Sequence, residues 1–125
     1  MSMHTLRVDS HVFSDSVVVE AQGAVDVSTA EDLERRLRSA LVASRGRRKL
    51  VLDLARVTFF GTIGLQLLIW ADQECRERGV TLWVIASERA VLRPIEVAGL
   101  TGRFHITSSM PSVNEYAVAE QSQTA

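Results

Sequence analysis

The chain has 125 residues, 14 of them basic and 15 acidic, for a formal net charge of -1. That length suits one hydrophobic core, and the charge balance argues against nucleic acid or an acidic membrane as partner. The single cysteine, Cys75, excludes an internal disulfide and a multi-cysteine metal site and fits a reducing compartment. No charged leader followed by an apolar run opens the sequence, and charges break the apolar windows short of a membrane span. The expectation is one cytoplasmic domain over residues 1–125, ordered from about residue 4 to about residue 119, with a frayed tail from 120.

His4-Thr5-Leu6-Arg7-Val8 partly alternates and reads as an edge strand, which Val12 and Phe13 either extend or leave for a hairpin arm. Asp15-Ser16 reads as a turn. Val17 to Ala21 is a β-branched run and a strand; Gly23 and Asp26 then mark a loop. Helix signals follow. Ser28 with Glu31, or Thr29 with Asp32, forms a capping box. Ala30, Leu33, Leu37, Ala40 and Leu41 fall on one face at helical spacing, to about Gly46. Arg45, Arg47, Arg48 and Lys49 form a basic cluster, read as a solvated turn, with a phosphate patch as the lesser reading.

The stretch Lys49 to Glu74 organises the rest. Leu50 to Leu54 is apolar except for Asp53, the signature of a strand buried on both faces. Val57 to Phe60 lead to a turn, Gly61-Thr62-Ile63-Gly64. Phe59 and Phe60 are adjacent, so in extended backbone they point oppositely: one anchors the turn and the other faces its surroundings. A helix follows to about Arg78, with Leu68, Ala71 and Cys75 inward. Its first two turns, with Ile63, Leu65, Leu67, Ile69 and Trp70, are more apolar than one sheet-facing stripe requires. Either a neighbouring helix covers the excess or part of it is a contact patch. Val80 to Ile85 is a further strand. Ser87 caps a third helix that Pro94 kinks, narrows or ends, with Ile95 to Ala98 as a second turn. Phe104 to Thr107 is a short closing strand, and Met110-Pro111 opens a last helix with Val113, Tyr116 and Ala117.

This order predicts an α/β fold: a mostly parallel central sheet of about four or five strands, about four helices and an antiparallel N-terminal strand pair. Catalytic chemistry is not visible. His4, His11 and His105 are scattered, Asp9, Asp15, Asp26 and Asp53 have no metal-binding spacing, and the glycine turn lacks the lysine and spacing of a nucleotide loop. The expectation is a protein that is not an enzyme and has no cofactor and no metal. One polar atom stands out. The Thr62 hydroxyl sits where a buried strand becomes a helix, so it either caps the helix or stands exposed to a kinase. A phosphate there would meet open helix amides and add about two negative charges to an apolar surface.

At this point the chain resembles a known family. Gly23-Ala24-Val25-Asp26 with Thr29-Ala30, Leu50-Val51-Leu52-Asp53-Leu54 with Val57-Thr58-Phe59, Gly64-Leu65, Gly79-Val80, and then Ser87, Val91, Arg93 and Gly99-Leu100 are similar in order and spacing to a STAS domain of the bacterial anti-sigma factor antagonist type. The resemblance covers nearly the whole chain. It implies a non-catalytic switch that docks on an anti-sigma factor of the GHKL ATPase type with kinase activity and so frees a sigma factor. Phosphorylation in the central turn releases the domain, and a phosphatase restores it. Carried across, the acceptor is Thr62. The docking surface would comprise Phe60, Gly61, Ile63, Gly64, Gln66, Leu67 and Trp70, with Asp26 and Ser28 on the neighbouring loop. The departure is Gly61, where the family commonly has aspartate. The alternative is a scaffold or homodimerising module that is not phosphorylated.

Overall fold

A computed structural model describes residues 5–110. Among these residues five strands and three helices follow one another as β1 (Leu6–Val12), β2 (Ser16–Val25), α1 (Ala30–Ala43), β3 (Lys49–Phe60), α2 (Thr62–Glu77), β4 (Thr81–Ile85), α3 (Arg89–Val97) and β5 (His105–Thr107). The sheet order is β1-β2-β3-β4-β5. Only the β1–β2 hairpin is antiparallel; the other neighbours are parallel and joined through helices. The expected last helix and the tail lie outside the described residues.

Alternation along the strands divides the sheet into two faces. Val17, Val19 and Ala21 on β2, Leu50, Leu52 and Leu54 on β3, and Leu82 and Val84 on β4 share one core with the buried faces of all three helices. Val18, Val51 and Ile85 point the other way and pack with Phe13. This makes β3 buried on both faces, as its continuous apolar run requires. Helix α1 buries the five residues its periodicity marks, Ala30, Leu33, Leu37, Ala40 and Leu41. Cys75 is fully buried beside Leu68 and Ala71.

Four local readings are corrected. Gly23 lies inside β2, not in a loop: its φ is +115°, and an added Cβ would meet the Thr5 carbonyl oxygen at 2.2 Å. Glycine therefore allows β1 to close against an irregular stretch of β2. No capping box forms at α1; Thr29 is the N-cap residue and makes no side-chain cap bond. Its hydroxyl instead donates to the Ala24 carbonyl at 2.7 Å. Ser87 does not cap α3, whose N-cap is Glu88. Of the outcomes expected at Pro94, ending the helix is excluded, since α3 runs through it to Val97. The carbonyl that loses its donor belongs to Ala90, which lines a solvent-open notch, while Val91 and Ile95 hold α3 in the core.

The basic cluster serves the framework. Arg47 donates to the Phe13 and Ala43 carbonyls at 2.7 and 2.8 Å, and the amides of Arg48 and Lys49 donate to Asp15. Lys49 Nζ also lies 5.7 Å from the centre of the Trp83 ring.

Candidate protein-docking site

The candidate site is the corner where β3 becomes α2. Gly61 is the N-cap residue of α2, in extended backbone with φ -84° and ψ -176° and no side chain to cap the helix. Its amide donates to the Val25 carbonyl at 3.0 Å, tying the corner to the end of β2. Its carbonyl accepts from Gly64 at 2.9 Å and Leu65 at 3.3 Å, starting the helix. Thr62 is the first helical residue and is exposed. The cap position thus falls on Gly61, which leaves the Thr62 hydroxyl with no hydrogen bond among the described residues.

The two phenylalanines separate as extended backbone demands. Phe60 is 3 % exposed and packs in the main core, whereas Phe59 is 47 % exposed. Which one turns inward is set by pairing. The β2–β3 register slips once between Glu20 and Gln22 and again between Gly23 and Ala24, so Val25 lies opposite Phe60. Each slip inserts a residue into β3 and reverses its faces; two of them restore the original alternation at Phe60. The Asp53 carboxylate supports the first slip by accepting from the Ala55 amide at 3.0 Å.

The expected contact residues fall into three groups. Gly61, Thr62, Ile63 and Gln66 are exposed or half-exposed at the corner. Phe60, Gly64 and Leu67 lie in or against the core and support the corner from beneath rather than facing outward. Trp70 is half-buried, because α1 reaches over it: the Arg38 guanidinium sits 4.8 Å from the indole ring, held by Glu34 through bonds of 3.0 and 2.8 Å. A neighbouring helix therefore covers part of the apolar excess on α2.

On the adjoining loop, Asp26 and Ser28 hold each other. Asp26 Oδ1 accepts from the Ser28 amide at 2.9 Å, the Ser28 hydroxyl at 2.7 Å and the Thr29 amide at 3.2 Å. This asparagine-like turn shapes the entry to α1. It also leaves Val27 at the tip, 86 % exposed. Sequence reasoning passed over Val27 because its polar neighbours looked like the surface residues. The available signal was an apolar residue between two turn-forming side chains.

Among the described residues no group of three or more histidine, cysteine or acidic side chains is placed to hold a metal ion. His105 stacks on Trp83 at 4.9 Å, and His11 lies 6.4 Å from Phe13. Burial, and secondarily the Asp72 carboxylate, push the Cys75 thiol from 9.0 up to about 12, so it is a poor nucleophile. No helix among the described residues is long and apolar enough to cross a membrane.

The family model described as the STAS domain matches residues 6–113. The chain belongs to the STAS domain family. Within that family this STAS domain is of the anti-sigma factor antagonist type. It is 32 % identical over 106 residues to the anti-sigma-F factor antagonist RsfB of Mycobacterium tuberculosis, covering 85 % of this chain and 83 % of that protein. Against RsfA of the same organism, also an anti-sigma-F factor antagonist, identity is 27 % over 96 residues, covering 77 % of this chain and 75 % of that one. The crystal structure of an anti-sigma factor antagonist from Mycobacterium paratuberculosis superposes with a TM-score of 0.75 at 26 % identity, covering 94 % and 95 % of the two chains.

Proposed function

We propose that this STAS domain is an anti-sigma factor antagonist switched at Thr62. It docks through the β3–α2 corner on an anti-sigma factor of the GHKL ATPase type with kinase activity, in the cytoplasm, and thereby releases a sigma factor. The kinase transfers the terminal phosphoryl group of ATP to the Thr62 oxygen, which loses its proton, and ADP leaves. A phosphatase reverses the change by hydrolysis. The domain is a binding partner and substrate, not an enzyme, and needs no cofactor. The reading also draws on its likeness to the RsfA and RsfB antagonists.

The observation that carries the reading is the exposed Thr62 side chain at a helix start capped by glycine. A kinase can reach that oxygen without unfolding the helix. Once attached, the phosphate meets the open amides of the first turn of α2, so the modified form is tolerated by the fold. It also puts about two negative charges into the contact, so docking fails while the domain stays folded.

The test is to incubate the domain with its cognate anti-sigma kinase and ATP and to measure intact mass. One added phosphoryl group is expected on the wild type and none on Thr62→Ala. Thr62→Glu should lose partner binding; unchanged affinity would sink the switch. The half-exposed Ile63 and Trp70 also support a second reading, a constitutive scaffold or homodimerising module. Absence of phosphoryl transfer to wild type would favour it.

A further inference from the structure

We propose that the free edge of β1 is a homodimerisation surface: a second copy of this chain pairs with it antiparallel, about a two-fold axis at Val8, and continues the sheet across both molecules. This surface is separate from the β3–α2 corner. The inference goes beyond the reading of Thr62 and does not depend on it.

The backbone is open at this edge. β1 ends the sheet order, and no strand among the described residues covers its outer side. In the hairpin the Phe13 amide donates to the Ser16 carbonyl at 2.8 Å, and the Ala24 amide to the Thr5 carbonyl at 2.9 Å. An antiparallel ladder alternates, so the odd-numbered residues of β1 bond to β2. Leu6, Val8, Ser10 and Val12 therefore turn their amides and carbonyls to the free edge. The strand has seven residues and contains neither proline nor lysine, which commonly block such an edge. The opposite edge, β5, has three residues.

Charge selects the occupant and its register. Arg7 and Asp9 share one face, with side chains 78 % and 51 % exposed and 3.4 Å apart. With the axis at Val8, Arg7 of each copy lies opposite Asp9 of the other, at the closely spaced positions of the ladder where side chains meet. Leu6 then faces Ser10, and His11 faces Thr5. An axis at Arg7 or Asp9 would set like charges directly opposite. One at Ser10 would leave Leu6 and Arg7 beyond the end of the other β1. The strand is complementary to itself in one register.

The helix side fits the same pairing. Leu6 and Val8 are half-buried against the core, and with Asp32, Arg35, Arg36 and Ser39 they line a groove of about 330 Å³. Helix α1 lies over both β1 and β2. With strands about 4.8 Å apart, pairing brings the two α1 helices to about 10 Å, a packing distance for helices. They close the groove over Leu6 and Val8. Asp32 pairs with Arg35 at 3.2 Å. The remaining charge on this stripe is Arg36, which is exposed and long enough to keep its guanidinium in water. β2 stands between β1 and β3, so the Thr62 corner stays open in each copy.

The test is sedimentation of the purified full chain over a concentration series, where a closed dimer is expected. Arg7→Asp and Asp9→Arg should each weaken dimerisation about tenfold or more, because both opposite-charge pairs become like-charge pairs. Mixing these two variants should restore a mixed dimer, since each supplies the charge the other lacks. Ser10→Pro, which removes an outward amide and no bond to β2, should leave a monomer. Circular dichroism and melting check that each variant is folded. A wild type that stays monomeric up to about 1 mM, a dimer that neither charge variant weakens, or folded variants that fail to associate when mixed would each overturn the proposal. So would a dimer lost in Ile63→Asp and kept in Arg7→Asp, since the copies would then meet at the corner. Phosphoryl transfer to Thr62 is read separately by intact mass, on wild type and Arg7→Asp alike, so either reading can fail while the other stands.

Discussion

Gly64 shows how a single residue supports the site from below. A Cβ placed there would lie 2.8 and 2.9 Å from Cε1 and Cδ1 of Phe60, a ring that is 3 % exposed and has nowhere to go. Alanine is better than glycine in a helix by about 1 kcal/mol, but overpacking a closed core costs about 1–3 kcal/mol. The steric effect should win. Gly64→Ala is expected to lower stability by up to about 2 kcal/mol in denaturant titration. A stability equal to or above wild type would show that the ring relaxes freely. The glycine pair around Thr62 is plain in the sequence, but its two reasons are not. Gly64 admits Phe60 from inside and Gly61 admits Phe59 from outside, and both contacts are between neighbours whose side chains are placed by the sheet.

At the scale of elements, the entry to α1 depends on a side chain that sequence reasoning assigned to the partner. Asp26 Oδ1 satisfies two backbone amides and one hydroxyl, taking the place of the capping box expected from Ser28 or Thr29. Asp26→Ala should therefore destabilise the fold by about 1–2 kcal/mol, as loss of a helix cap does, and Ser28→Ala by less. Equal stabilities by denaturant unfolding would mean the loop is held otherwise. The helices themselves were legible, because their apolar spacing is a local property that packing merely exploits. Less legible was the pairing of β2 with β3. Two register slips decide that Phe60 turns in and Phe59 out, and a slip is a relation between distant segments. Asp72 is another such case. It is buried on α2 and faces Arg76 at 3.0 Å and Arg103 at 3.4 Å, the latter from the loop before β5. Its charge is compensated across a gap that no periodicity reports.

For the molecule as a whole, the balance of stability carries one pH signature. Burial raises the Cys75 thiol to about 12 in the folded protein. Its folded pKa lies above the unfolded value, so the native state holds the proton more tightly. The contribution is fully present below about pH 9 and is lost as pH rises toward about 12. Wild type should therefore lose stability over that window more steeply than Cys75→Ala, although the variant starts lower for want of the sulfur's packing. Parallel curves in urea titrations across the window would contradict this. At neutral pH the thiol should resist alkylation until the protein is unfolded.

The sequence by itself determined the alternation of strands and helices, the buried central strand, the core face of each long helix and the position of the Thr62 hydroxyl at the start of α2, but not that this hydroxyl is exposed. Each of these is written in short-range patterns of apolar, glycine and hydroxyl residues that local backbone geometry can read. Tertiary structure alone decided which side chains surround that hydroxyl. Val27 reached the surface because Asp26 turned inward onto its own loop, and Phe59 did so because β3 slipped twice against β2. Trp70 was half-covered because Arg38 crossed from α1. The physical reason is common to all three. Exposure depends on what other segments leave uncovered, and that is settled only when the sheet register and the helix packing are complete.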